Sequence, residues 1–268
     1  RDIIRSGHGD KFVSKQGKEG LIFRANFFAV KLAAEQGETV QTQHRGDRMI
    51  EAVIFDMDGL LIDSEPLWHE AEIIAFKKVN IDLTRQDCLE TTGMRVDEVV
   101  DYRYRRHPWE GAGKKEIAED ILDNVIRLIR EKGELKDGAK QAIRFVQQLN
   151  VKVALASSSA YSVIRAVLDK FDLTPVFSVI HSAQEEPRGK PHPGVYLTAC
   201  QKLNTDPEAC VAIEDSLAGV IAAKAAKMIC IAVPEAAWRN DRRFVLADLQ
   251  LTSLEELNEA AWEKISSL

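Results

Sequence analysis

The stretch EAVIFDMDGLLIDS, residues 51–64, carries four consecutive apolar residues, Ala52-Val-Ile-Phe55, that run straight into Asp56, Met57, Asp58 and Gly59. An apolar run this short and this rich in β-branched types suits a strand covered on both faces. Runs of the same kind recur at 151–156, 176–180, 210–213 and 229–233. Helical stretches at 138–149, 160–171, 193–203 and 216–227 lie between or beside them. Alternation of this kind predicts βαβ units with right-handed crossovers and an α/β, Rossmann-like parallel sheet.

Residues 66–132 break the rhythm. Segments 66–79, 87–90, 94–107 and 114–132 read as helices with no strand among them. An all-helical excursion after the first strand is expected to cap the carboxyl ends of the strands, where open α/β sheets bind ligands. The expected division is a core from 49–65 and 134–268, a helical cap at 66–133, and hinges near 64–66 and 133–138. The first 48 residues stand apart, with nine basic and six acidic residues, a charge of +3 that leaves −9 on the remainder. Met49 looks like a natural start, so this segment reads as a leader, an accessory helix around 21–36, or a targeting peptide, and carries no assigned chemistry.

Composition narrows the function classes. Of 268 residues, 45% are hydrophobic and 29% charged, the profile of a globular chain, and 36 basic against 42 acidic residues give −6. That balance argues against a broad electrostatic grip on nucleic acid or on a membrane surface. No run of about 18 uncharged apolar residues is present, and the start lacks a signal-peptide pattern, so a cytoplasmic location is the default; no obvious extra apolar element stands out, so a monomer is expected. Cys88, Cys200, Cys210 and Cys230 show neither CxxC nor zinc-site spacing and read as free, buried thiols.

The chemistry concentrates at the ends of the predicted strands. Asp56 and Asp58 can face one pocket if the chain turns sharply at Gly59, although two aspartates there could equally cap a loop. Ser157, Ser158 and Ser159 follow the second strand and precede a helix, an anion site or an ordinary N-cap. Lys190 stands in the stiff loop Gly189-Lys190-Pro191-His192-Pro193. Glu214 and Asp215 end the fourth strand. With Asp56 and Asp58 they put four carboxylates on one sheet edge, an oxygen-rich set suited to Mg²⁺.

These motifs, in this order, resemble the haloacid dehalogenase superfamily. The resemblance covers residues 49–252, and the insert looks like the family's small helical cap. FDMDGLLIDSEPLWHEAE at 55–72, TTGMRVDEVV at 91–100, KPHPGVYL at 190–197 and VAIEDSLAGVIAAKAAKM at 211–228 are similar to bacterial hexitol- and 2-deoxyglucose-6-phosphate phosphatases, within the β-phosphoglucomutase-like subgroup. The resemblance implies a phosphoric monoester hydrolase acting on a small phosphorylated sugar or polyol. It casts Asp56 as nucleophile, Asp58 as general acid and base, and Ser157, Ser158 and Lys190 as phosphate ligands. Mg²⁺, with Mn²⁺ or Co²⁺ able to substitute, would be held by Asp56, the Asp58 carbonyl, Asp215 and Glu214.

In the cap, Glu65, Trp68, Thr92, Gly93, Met94 and Arg95 are expected near the substrate, with Arg95 foremost for sugar hydroxyls; Trp68 and Met94 could instead be cap core. The same core motifs serve a hexose phosphate mutase, in which a histidine lies ten residues beyond the second aspartate; here that position is Trp68. A dehalogenase would not need the Glu214-Asp215 acids, and a phosphonatase would need a site lysine in the cap. A non-catalytic phosphate-binding protein would need none of the catalytic positions.

Overall fold

The computed structural model describes residues 49–268. The readings offered for residues 1–48 lie outside the described residues.

Six parallel strands form one sheet in the order β3-β2-β1-β4-β5-β6: β1 Ala52–Phe55, β2 Lys152–Ser157, β3 Val179–Ser182, β4 Cys210–Glu214, β5 Ile229–Ala232 and β6 Leu249–Gln250. After β1 the chain adds strands on one side and then, from β4, on the other, so a crevice opens at the carboxyl end of the central strand. Register fixes what faces it. Phe55 is paired with Leu155 on one side and Ile213 on the other, which brings Asp56, Ala156 and Glu214 level at one edge.

Successive residues of a strand point to opposite faces, and here the two faces differ in size. Val53, Phe55, Val153, Leu155, Val211, Ile213, Ile229 and Ile231 line one core. It is covered by α5 (Ala139–Gln148), α6 (Tyr161–Phe171) and α9 (Glu259–Ser266). The other face carries Ala52, Ala154, Ala156, Cys210, Ala212, Cys230 and Ala232, with Ile54 the one large strand residue. Short side chains there let α7 (Gly194–Leu203) and α8 (Leu217–Ala225) pack close, and Tyr196 of α7 is wholly buried against them. All four cysteines are free and buried.

Between β1 and α5 lie only helices: α1 Glu65–Lys77, α2 Arg85–Leu89, α3 Val96–Arg106 and α4 Lys114–Lys132. Ile117, Ile121, Val125, Leu128 and Ile129 form the buried stripe of α4 at helical spacing, and α1 and α3 pack on that helix. Phe76 and Tyr104 meet Trp109 edge to face, with centroids 5.6 and 4.8 Å away. The linkers into and out of this insert lie side by side. Ile62 bridges Leu135, Asp63 N–H donates to the Glu134 carbonyl at 3.0 Å, and Lys136 N–H donates to Leu61 at 2.9 Å.

Differences from the sequence expectation are local. The third strand begins at Val179 rather than 176, because Pro175 holds Thr174–Val176 in a 3₁₀ turn. The pattern gave no sign of β6, which is two residues long, and α9 lies beyond the periodic segments.

Ile54 is wholly buried at the centre of the sheet. Ile54→Ala is expected to cost about 2–5 kcal/mol in urea unfolding. Val245→Ala, at a position 83% exposed, should stay within about 0.5 kcal/mol.

Candidate active site

The edge where β1, β2 and β4 end is built around one ammonium group. Lys190 Nζ donates to Asp56 Oδ1 at 2.5 Å, to Glu214 Oε1 at 2.6 Å and to the Ala156 carbonyl at 3.3 Å, and the residue is 6% exposed. Tyr196 donates its hydroxyl to the same Glu214 oxygen at 2.5 Å, and the Lys190 ammonium lies 5.0 Å from the centre of its ring. The second Glu214 oxygen accepts from the Asp215 and Ser216 amides and the Ser216 hydroxyl, at 3.2 to 3.3 Å. Glu214 is therefore fully bonded although it is wholly buried.

Asp58 has different company. Its Oδ1 accepts from the Ser64 hydroxyl at 2.7 Å and the Trp68 indole at 2.9 Å; its Oδ2 accepts from the Ser159 hydroxyl at 2.7 Å and the Ser157 hydroxyl at 3.3 Å. Gly59 makes this divergence possible. Its φ of 75° turns the chain after Asp58, and a side chain there would strike the Asp215 carboxylate. The Ser158 hydroxyl is buried beside this pair and has no partner among the described residues.

One oxygen each from Asp56, Glu214 and Asp215 lie within 4.8 Å of one another. Burial pushes the Asp56 carboxyl up to about 8; Lys190 opposes this, and Glu214 and Asp58 reinforce it. Asp215 is raised well above the carboxylate range by burial, then by Asp56 and Glu214. Burial alone would lower Lys190, but Asp56 and Glu214 together raise it, so it stays charged. With all three buried acids ionised, one ammonium would leave an excess of negative charge for a cation to offset. An all-oxygen donor set of this kind fits a hard divalent cation. The Asp58 carboxylate is not part of this set.

A cavity of about 70 Å³ extends from these residues into the helical insert, several-fold the roughly 10–15 Å³ that one water requires. Asp56, Asp58, Ser157, Ser158, Lys190, Asp215, Glu65, Trp68, Gly93 and Met94 all line it, as does Thr92. Trp68, which could have been cap core, stands at the reaction edge with its indole on Asp58. Arg95 does not line the cavity. Its guanidinium donates to the Ala183 carbonyl at 3.1 Å and the Glu186 carbonyl at 2.6 Å and pairs with Asp97, so the expected sugar contact is instead a tie between insert and sheet domain. Glu98 strengthens that tie by accepting from the Gly189 amide at 3.1 Å.

Sequence reasoning gave Glu72, Thr91 and Tyr196 no role, and it did not carry His69, Ser159 or Ser216 into the set of candidate site residues. Helical spacing would have found two of them, because Glu65, Trp68, His69 and Glu72 fall on one face of α1. Burial pushes the Glu65 carboxyl up to about 7, with Glu235 adding and Lys136 opposing. Burial also raises Glu72 to about 7, against Arg103 and Cys88.

Comparison with known proteins identifies relatives of this chain. A family model described as haloacid dehalogenase-like hydrolase matches residues 50–227. Hexitol phosphatase B of Escherichia coli (strain K12) is 46% identical over 211 residues, 78% of this chain and 95% of that protein. The crystal structure of CbbY from Rhodobacter sphaeroides in complex with phosphate matches with a TM-score of 0.74 at 28% identity, over 80% of this chain and 100% of that one. β-Phosphoglucomutase from Clostridium difficile matches with a TM-score of 0.71 at 25% identity, over 81% of this chain and 97% of that one.

Glu72 gives the insert a pH signature. Its carboxyl ionises near the model-peptide value of 4.5 when unfolded and near 7 when folded, so its contribution to stability falls as pH rises from about 4.5 to about 7 and is flat above that. In Glu72→Gln this loss disappears. Urea unfolding at pH 5, 6, 7 and 8 should show the variant gaining on the wild type across that window, by up to roughly 3 kcal/mol.

Proposed function

This chain belongs to the haloacid dehalogenase-like hydrolases, and on that premise we propose that it is a phosphatase that hydrolyses the phosphomonoester of small sugar and polyol phosphates. The observation that carries the reading is a pair of aspartates in one crevice with opposite surroundings: Asp56 against an ammonium, Asp58 among hydroxyls and an indole. The 46% identity to hexitol phosphatase B supports hexitol or hexose 6-phosphates as the substrate class.

Asp56 is the nucleophile. Its carboxylate oxygen bonds to phosphorus as the bond from phosphorus to the ester oxygen breaks, which leaves an aspartyl phosphate. Asp58 protonates the departing oxygen. It then takes a proton from the water that attacks the same phosphorus, so that inorganic phosphate leaves and both aspartates are restored. Its four donors hold the carboxyl in place through both steps. The unpartnered Ser158 hydroxyl, with Ser157 and Lys190, holds the phosphoryl oxygens.

Asp56, Asp215 and the Asp58 carbonyl would hold Mg²⁺, with Glu214 close behind them, and the ion when bound supplies positive charge to offset the phosphoryl oxygens. Residues 66–133 act as a cap that excludes water, with Arg95 and Glu98 holding it to the 183–189 loop. A monomer in the cytoplasm belongs to the same proposal; among the described residues no helix is long and apolar enough to cross a membrane.

The match to β-phosphoglucomutase favours a second reading, phosphate transfer within a hexose. Against it stands Trp68 on Asp58, because an indole can only donate a hydrogen bond and cannot exchange a proton as an imidazole does.

The test is phosphate release from a panel of sugar, polyol and nucleotide monophosphates with Mg²⁺. Hexitol and hexose 6-phosphates should lead, EDTA should abolish turnover, and Asp56→Asn should lower kcat by about 10³-fold or more. Full activity of that variant would exclude Asp56 as nucleophile. Conversion of β-glucose 1-phosphate to the 6-phosphate without net phosphate release would install the mutase reading.

A further inference from the structure

Glu65, Trp68, His69 and Glu72 form one stripe of α1 along the wall of the cavity. Trp68 marks its reaction end, since the indole is bonded to Asp58. At a rise of 1.5 Å per residue Glu72 lies about 6 Å further along the helix, towards the interior of the insert. Its wall there is Cys88, Thr91, Val99 and Ile121, nearly all apolar.

Glu72 is only 6% exposed, and its Oε2 finds no hydrogen-bond donor among the described residues. A carboxylate left unpaired in an apolar wall is costly. The buried cation that bears on it does not pair with it: Arg103 bonds through its terminal nitrogens to the Asp87 carbonyl, to Glu90 and to Thr91, leaves its own buried Nε–H without a partner among the described residues, and does not line the cavity. Glu72 lines the cavity, so a donor can reach its carboxyl from that side.

We propose that Glu72 is a specificity-determining residue, accepting hydrogen bonds from hydroxyl groups at the unphosphorylated end of the substrate, in a wall that rejects any substrate bearing a second anionic group there. The inference rests on the phosphatase reading and narrows its substrates to neutral polyol and sugar monophosphates.

Charge supports the rejection. Among the described residues that line the cavity, Lys190 is the one lysine or arginine, and it is held at the phosphate end by Asp56 and Glu214. His69 is kept neutral by burial and by Arg85, which lower its ionisation below the ordinary imidazole value. A second phosphate reaching Glu72 would lose its water and meet no counter-charge. A hydroxyl would give the carboxyl a hydrogen-bond partner.

The experiment compares wild type, Glu72→Gln and Glu72→Leu on sorbitol 6-phosphate, fructose 1,6-bisphosphate and p-nitrophenyl phosphate, which has no hydroxyl to offer. In Glu72→Leu the ratio of kcat/KM for sorbitol 6-phosphate to that for p-nitrophenyl phosphate should fall about 10- to 100-fold, mainly through KM. Glu72→Gln, which keeps an acceptor oxygen at the same place, should fall less. Wild type should discriminate against the bisphosphate, and the gap should narrow in Glu72→Gln. An unchanged ratio in Glu72→Leu, with both substrates affected alike, overturns the proposal by making Glu72 a packing residue. So does equal wild-type turnover of the bisphosphate and the monophosphate. Failure of the underlying phosphatase reading looks different: wild type itself would release no phosphate from sorbitol 6-phosphate, before any variant is compared.

Discussion

A single buried ammonium ties together the parts of the polypeptide that meet at the carboxyl edge of the sheet. Lys190 is drawn between Asp56 at the end of β1 and Glu214 at the end of β4, and it also donates to Ala156 in β2. Three strands far apart in the chain therefore end on one cation. Buried acids at this density would repel one another without it, and the lysine would be costly to bury without them. Tyr196, the Ser216 hydroxyl and two backbone amides then saturate Glu214, so Glu214 anchors the lysine and leaves Asp56 and Asp215 to face the cavity.

How the sheet is packed sets where that edge can be. Small residues on one face bring α7 close enough for Tyr196 to reach the carboxyl end of β4 from beneath, while the large residues on the other face support α5, α6 and α9. Alanine and cysteine at alternating positions of β2, β4 and β5 thus belong to the functional design as much as to the core. The three cysteines on this side, Cys200, Cys210 and Cys230, act as small apolar fillers.

Much of this was legible in the sequence, for physical reasons that can be named. Strands covered on both faces announce themselves as unbroken apolar runs, and each of the first, second and fourth is followed at once by its polar residues. Asp56, Asp58, Ser157, Ser158, Lys190 and Asp215 thus fall on one edge from the sequence pattern alone. What escaped depended on contacts between segments remote in sequence. Arg95 sits beside Met94, which does line the cavity, yet its own partners are carbonyls at 183 and 186, which no local pattern reveals. Tyr196 lies on a helix whose periodicity explains its burial equally well without any bond to Glu214. Short elements such as β6 exist only because a neighbouring strand offers hydrogen bonds to them.

The paired linkers at Ile62–Asp63 and Glu134–Leu135 constrain more than the path of the chain. A body attached by one strand can swivel about every single bond of its tether; one attached by two strands hydrogen-bonded to each other loses most of those rotations. Swinging about the line that joins the two attachment points is the motion that disturbs their bonds least. The proposed opening and closing would then trace a single arc, with little orientational entropy to surrender on each return. Arg95 and Glu98 would come back to the same carbonyls and the same amide, and because those groups lie just ahead of Lys190 in the chain, the arc would end where the buried ammonium begins.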